Sequence, residues 1–187
     1  VDPAGRARAV YARPCPPWPC VAWRCRLRLR RLSRDDVDFI LAVTNDKQWL
    51  TFIGDRGIND DGQASQYISV ASDSFAAKGY GLWLVEAIDA EGDKRIGLCG
   101  FIRRPFLSCP DLGYAFLPRG RGKGYACEAV NLVLSWASSH TNERQVSAIC
   151  RPDNLASLAV LQRAGFKRLG KLFQPQQLPH DFFLRPL

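Results

Sequence analysis

The chain has 187 residues, 47% of them apolar, which is enough for one domain with a sizeable core and too apolar for a disordered chain. The net charge of +8 sits in one place: residues 1–34 hold nine Arg against one Asp, and residues 35–187 hold 17 basic and 17 acidic side chains. A neutral body disfavours a nucleic-acid-binding domain, and no stretch approaches the ~20 apolar residues of a membrane span.

Residues 1–22 are rich in Ala, Arg and Pro. Cys15-Pro-Pro-Trp-Pro-Cys20 forbids a helix and shows no strand alternation. This arm is expected to lie outside the fold, as a disordered or extraneous extension, with residues 23–187 forming a single domain. Cys15, Cys20 and Cys25 are spaced by five, without a Cys-x-x-Cys pair or a nearby His, so no metal site is expected. The other cysteines, Cys99, Cys109, Cys127 and Cys150, are scattered through periodic segments and read as reduced, small apolar residues of a cytoplasmic protein. The two histidines, His140 and His180, form no hydrolase pattern.

Arg24 to Leu32 alternates, with Leu27 and Leu29 on one face and Arg26, Arg28 and Arg30 on the other, which predicts a first strand with a solvated basic face. Ser33-x-x-Asp36 is a capping pair for a helix to about Thr44, with Val37, Ile40, Leu41 and Thr44 inward. Asn45 to Gly57 reads as a loop whose Trp49 and Phe52 are either a pocket wall or plain core. Asp60 to Ala77 reads as a second helix, with Ala64, Tyr67, Ile68, Ala71 and Phe75 at helical spacing. Strands are predicted over Tyr80 to Ile88, Ile96 to Arg103 and Asp111 to Leu117, the first two joined by a hairpin at Ala90 to Lys94. Tyr80 and Trp83 are further aromatic candidates for an acceptor pocket.

Leu117 to Ala129 is a glycine-rich loop that opens a helix, whose apolar face is Ala126, Ala129, Val130, Val133, Leu134 and Ala137. Gly120, Gly122 and Gly124 let backbone approach a ligand, and a helix N-terminus aims N–H groups at it, which suits a phosphate. Arg121 and Lys123 add charge. Lys123 is followed by Gly124, not Ser or Thr, so this is no P-loop. Beyond it come a strand over Gln145 to Cys150, a helix over Asn154 to Arg163 stopped by Gly165, and two strand-like segments, Phe166 to Leu169 and Asp181 to Leu184. The order β-α-α-β-β-β-α-β-α-β-β predicts an α/β (α+β) fold: a mixed, mostly antiparallel central sheet flanked by helices.

Arg121-x-x-Gly124-x-Ala126 resembles the pyrophosphate loop of the GNAT acetyltransferases. Arg119-x-x-Gly122-x-Gly124 fits the same pattern; the first frame is preferred, because Gly-Lys-Gly-Tyr-Ala-x-Glu-Ala resembles the RimJ/RimL-like branch. Asn154-x-x-Ser157 followed by Gly165-Phe166, and Ile96 to Phe101 followed by Pro110 to Phe116, are similar to that branch as well. The resemblance spans about Arg26 to Leu184. It implies an N-acetyltransferase that uses acetyl-CoA, needs no metal, and moves the acetyl group directly to a primary amine, a protein N-terminus or a small amine. It implies that Ala115 and Phe116 offer strand backbone to the pantetheine arm, and that Arg121, Gly122, Lys123, Gly124, Tyr125 and Ala126 hold the pyrophosphate. Asn154 then bonds the pantetheine, caps its helix, or does both.

The Tyr that many GNAT enzymes place four residues before the Gly of Gly-Phe is Leu161 here. The resemblance to the RimJ/RimL-like branch implies that Ser157, the Ser of Asn-x-x-Ser, is the candidate proton donor; otherwise it is a small residue in a tight turn. Asp111 is the candidate base, or else a solvated turn residue, with Glu86 a weaker candidate. Cys127, in the first turn of the loop's helix, is considered as a nucleophile. Two rival functions stand beside the enzyme: a CoA-binding sensor or scaffold without catalysis, and an RNA-binding module suggested by Lys123-Gly-Tyr-Ala126. A monomer or homodimer with no membrane partner is expected.

Overall fold

A computed structural model describes residues 26–173 and 179–187. The expected N-terminal arm, Cys15, Cys20 and Cys25 lie outside the described residues. Seven strands form one sheet: β1 (Leu27–Arg30), β2 (Leu82–Ala87), β3 (Arg95–Ile102), β4 (Asp111–Phe116), β5 (Gln145–Cys150), β6 (Lys167–Leu172) and β7 (His180–Pro186). Five α-helices accompany it: α1 (Val37–Thr44), α2 (Lys47–Phe52), α3 (Asp61–Lys78), α4 (Tyr125–His140) and α5 (Leu155–Arg163). The expected mixed, mostly antiparallel sheet flanked by helices is what forms.

The strand order is β1-β2-β3-β4-β5-β7-β6, and every neighbouring pair is antiparallel except β4 with β5. That parallel pair shares one bridge, Asp111 with Ser147. Beyond it the strands part, so the β4 edge from Gly113 to Phe116 has no strand partner on that side. The helices cover both faces. Leu84 and Leu98 pack with Phe39, Ile40 and Val43 of α1 and Ala64 and Ile68 of α3. Trp83, Val85, Cys99 and Phe101 pack with Ala129, Val130, Val133 and Leu134 of α4. Gly97 of β3 makes room for the Phe116 ring of β4: a Cβ there would stand 2.5 Å from it.

Local chemistry explains the helix limits. Asp60 and Gln63 form a capping box at the start of α3, and Gly79, at φ 77°, closes it. Asn154 caps α5, its Oδ1 accepting the Ser157 N–H at 3.1 Å. A 3-10 turn over Arg34–Asp36 precedes α1, with the Ser33 N–H donating to Asp36 Oδ2 at 2.8 Å.

The structure corrects four expectations. Asn45 to Gly57 contains α2, whose start is capped by Asp46 Oδ1 accepting the Gln48 N–H at 2.9 Å. The buried stripe of α1 is Phe39, Ile40, Val43 and Thr44, with Val37 and Leu41 only half-buried at its margin. The basic face of β1 is paired, not free. Arg26 holds Glu128, Arg28 and Arg30 hold Glu86 at 2.5 and 2.9 Å, and Arg30 grips Asp36 with two 2.7 Å bonds. Burial opposes the charge on Asp36 and Glu86, yet these arginines hold both carboxyls below their ordinary range. Glu86 is thereby paired with two arginines of β1. Finally, Lys123 to Ala126 opens a helix and Tyr125 is buried, whereas an RNA-stacking signature needs aromatics displayed on a sheet.

Candidate active site

The parting of β4 and β5 opens a cavity of about 1120 Å³ that runs from the glycine loop to α2 and α3. Its phosphate-like end is built by the loop. Gly122 and Gly124 stand at φ 73° and 80°, a left-handed backbone that glycine adopts without Cβ strain. Among the described residues, the backbone N–H groups from Gly122 to Cys127 have no intramolecular acceptor. Six successive free donors at a helix start are what an oxyanion needs. Arg26 braces the loop, donating to Lys123 O at 3.2 Å and to Glu128 Oε2 at 3.0 Å. It also lies 4.7 Å over the Tyr125 ring.

Arg121 lines the cavity and pairs with Asp46, whereas Arg119 turns away to Asp93 and the Arg95 carbonyl. That separates the two frames of the loop motif and favours the one starting at Arg121. Gly122, Gly124, Tyr125 and Ala126 line the cavity; the Lys123 side chain is exposed and does not. The Tyr125 phenol is buried and donates to Asp89 Oδ1 at 3.1 Å.

Ala115 and Phe116 lie on the unpaired edge of β4 and line the cavity. A free strand edge accepts an extended amide chain as an added strand. Strand alternation divides β4. Asp111, Gly113 and Ala115 face α1 to α3; Leu112, Tyr114 and Phe116 face α4 and α5.

Asp111 sits at the one β4–β5 bridge, 1% exposed. Arg104 Nε donates to its Oδ2 at 2.5 Å and Ser147 Oγ to its Oδ1 at 3.5 Å. It is thus a buried, paired carboxylate lining the cavity, not a solvated turn residue. Burial pushes its carboxyl up to about 6, with Arg104 and Ser147 restraining the rise.

Ser157 enters from the other face, in the first turn of α5. Its Oγ lies 2.6 Å from the Tyr114 hydroxyl, and both residues line the cavity. Sequence reasoning missed Tyr114, because an aromatic inside a strand alternation reads as core.

At the far end, Trp49 and Phe52 of α2 line the cavity together with Tyr67 of α3. Trp49 is both wall and core: it packs with Val43 and Ile58 and is 7% exposed. Phe52 lies under the Arg151 guanidinium at 5.6 Å. Tyr80 and Trp83 are not part of this wall. Trp83 is sealed between Phe75 and Trp136, and Tyr80 packs edge-on against Phe101. Trp83 of β2 faces the α4 core by strand alternation, and Tyr80, which precedes the strand, packs into the same cluster. Cys127 is a free, half-buried thiol at the cavity. Among the described residues no cluster of His, Cys, Asp or Glu is arranged to hold a metal ion, and no helix is long and apolar enough to cross a membrane.

Residues 26–167 match the family model described as acetyltransferase (GNAT) domain. The chain belongs to the GNAT acetyltransferase family. Two Bacillus subtilis proteins are similar to it along most of their length. The uncharacterized protein YkkB is 27% identical over 143 residues, 75% of this chain and 81% of YkkB. The uncharacterized N-acetyltransferase YnaD is 25% identical over 145 residues, 78% of this chain and 81% of YnaD. Among solved structures, RimL, a ribosomal L7/L12 alpha-N-protein acetyltransferase in complex with coenzyme A, matches with a TM-score of 0.74. That likeness has 19% identity and covers 86% of this chain and 94% of RimL, so it speaks for the fold. Membership makes the chain an N-acetyltransferase and sets aside the RNA-binding alternative.

Proposed function

We propose that this GNAT protein moves an acetyl group from acetyl-CoA to a primary amine, a protein N-terminus or a small amine, in the manner of the RimJ/RimL-like branch. The observation that carries the reading is the cavity itself. One end has six unpartnered N–H groups, its middle has a free strand edge, and its waist has a buried carboxylate on one face and a hydroxyl on the other. Acetyl-CoA, when bound, supplies the reactive thioester.

This chain's residues divide the work. The loop from Gly122 to Cys127 and the Arg121 guanidinium hold the diphosphate. The β4 edge at Ala115 and Phe116 aligns the amide arm. The Asn154 carboxamide oxygen caps α5, which leaves its NH₂ group for that arm. Asp111, titrating near 6, is ionised at neutral pH and takes the proton of the amine through water. Ser157 gives its Oγ–H proton to the departing sulfur. The nitrogen–carbon bond forms as the carbon–sulfur bond breaks; the second proton, shed by the nitrogen as the amide forms, restores Ser157 through cavity water, while the first, taken from the ammonium form, passes from Asp111 to solvent. Placement of amine and thioester along one cavity supplies much of the rate.

The test is thiol release from acetyl-CoA with a panel of N-terminal peptides and small amines, with the acetylated product identified by mass spectrometry. Turnover that survives Cys127→Ala is expected, because transfer is direct. Binding of acetyl-CoA without turnover of any amine would favour the sensor or scaffold reading. Loss of turnover in the Cys127→Ala enzyme with intact cofactor binding would replace direct transfer by a thiol intermediate.

A further inference from the structure

The waist of the cavity holds a pair of hydroxyls that the reading above uses only in part. Tyr114 Oη lies 2.6 Å from Ser157 Oγ and 3.1 Å from the Ser157 carbonyl oxygen. The pair joins β4 to α5 across the gap where β4 and β5 part. Ser157 is fixed on its other side by its N–H bond to Asn154 Oδ1. Its hydroxyl meets two side chains, the Tyr114 phenol at 2.6 Å and the Cys150 thiol, and the phenol is the stronger donor.

A serine in a first helical turn has freely rotating rotamers and a weakly acidic O–H. Donating a proton to sulfur requires the O–H to point into the cavity and the oxygen to carry developing negative charge. Both needs are met if the one phenol O–H points at Ser157 Oγ, the shorter contact at 2.6 Å, rather than at the Ser157 carbonyl oxygen at 3.1 Å. The Ser157 lone pair is then occupied, and its own hydrogen is left for the cavity. The same bond stabilises charge growing on Oγ. The phenol suits a donor that keeps its proton. Burial pushes its ionisation up, and Ser157 only partly offsets that.

We propose that Tyr114 is a positioning residue for catalysis: its hydroxyl donates to Ser157 Oγ, fixes the serine rotamer and directs the Ser157 proton to the leaving sulfur. The inference rests on the reading of Ser157 as proton donor. Tyr114 does not lose its proton in the step, so the balance written above is unchanged.

The experiment is a double-mutant cycle on the full chain, comparing wild type with Tyr114→Phe, Ser157→Ala and the double variant. Thiol release from acetyl-CoA is followed with the amine that turns over best. Calorimetry with CoA shows that each variant is folded and binds. Tyr114→Phe is expected to lower kcat about tenfold and leave the acetyl-CoA KM within about twofold. Added to Ser157→Ala it should cost nothing more. In a Ser157→Thr background, which keeps the hydroxyl, it should again cost about tenfold. A Tyr114→Phe enzyme with wild-type kcat overturns the proposal. So do multiplied losses in the double variant, or a defect confined to CoA binding, which marks a structural residue. Full activity in Ser157→Ala rejects the proton-donor reading itself, a separate result from failure of the Tyr114 coupling.

Discussion

The Arg121 guanidinium pairs with the Asp46 carboxylate, and the same Asp46 oxygen caps α2 by accepting the Gln48 N–H. The cation of the glycine loop is therefore held by the helix that carries Trp49 and Phe52 to the other end of the cavity. Under the proposed function, a cofactor diphosphate and Asp46 would compete for one guanidinium.

That competition predicts opposite effects for two variants. Asp46→Asn keeps a good cap but loses the charge, so the helix persists while Arg121 is released. Its acetyl-CoA affinity is expected to rise several-fold by calorimetry. Arg121→Ala removes a charge-assisted contact and is expected to weaken binding roughly tenfold. Unchanged affinity in both would mean that Arg121 serves only to hold α2.

Asp111 makes a prediction in pH. Its carboxyl rises from an ordinary 3.8 to about 6 in the fold. The folded chain therefore binds a proton more tightly there than the unfolded chain. The stability this contributes is full below about 3.8 and is lost as pH climbs through about 6. Asp111→Asn lacks that loss, so its melting temperature relative to wild type should increase between pH 4 and pH 7. Its turnover should fall, and the rise of kcat/KM with pH near 6 should vanish. A melting difference that is flat with pH contradicts the buried-carboxylate account.

Two aromatics that look alike in the sequence should behave differently. Trp83 is 2% exposed and boxed by Phe75 and Trp136, so Trp83→Ala is expected to cost about 3–5 kcal/mol in denaturant unfolding. Phe52 is half-buried at the cavity beneath Arg151. Phe52→Ala should cost about 1 kcal/mol and raise the acceptor KM several-fold at unchanged acetyl-CoA KM. Equal stability losses would place Phe52 in the core.

The fold was readable where periodicity and caps agree. Gln145 to Cys150 is the strand expected, and α4 buries Ala129, Val130, Val133, Leu134 and Ala137 of its predicted stripe. The glycine loop was readable because its spacing is local. α2 was not: six residues are too few for a helical period, and its cap only makes sense once Asp46 faces Arg121. The arginines of β1 read as solvated because Glu86, Asp36 and Glu128 are distant in sequence or hidden in helices. Tyr114 and Ser157 are 43 positions apart, and only the gap between β4 and β5 brings them together.

The most direct measurement is a calorimetric titration of the full chain with acetyl-CoA, beside an Arg121→Ala, Gly124→Val double variant. Gly124 stands at φ 80°, where a β-branched residue is strained, so the variant alters both the charge and the cradle. Micromolar binding by the wild type that is lost in the variant is the result this account predicts. A folded wild-type chain that binds no acetyl-CoA would reduce the glycine loop to a turn and contradict the proposed cofactor and mechanism together.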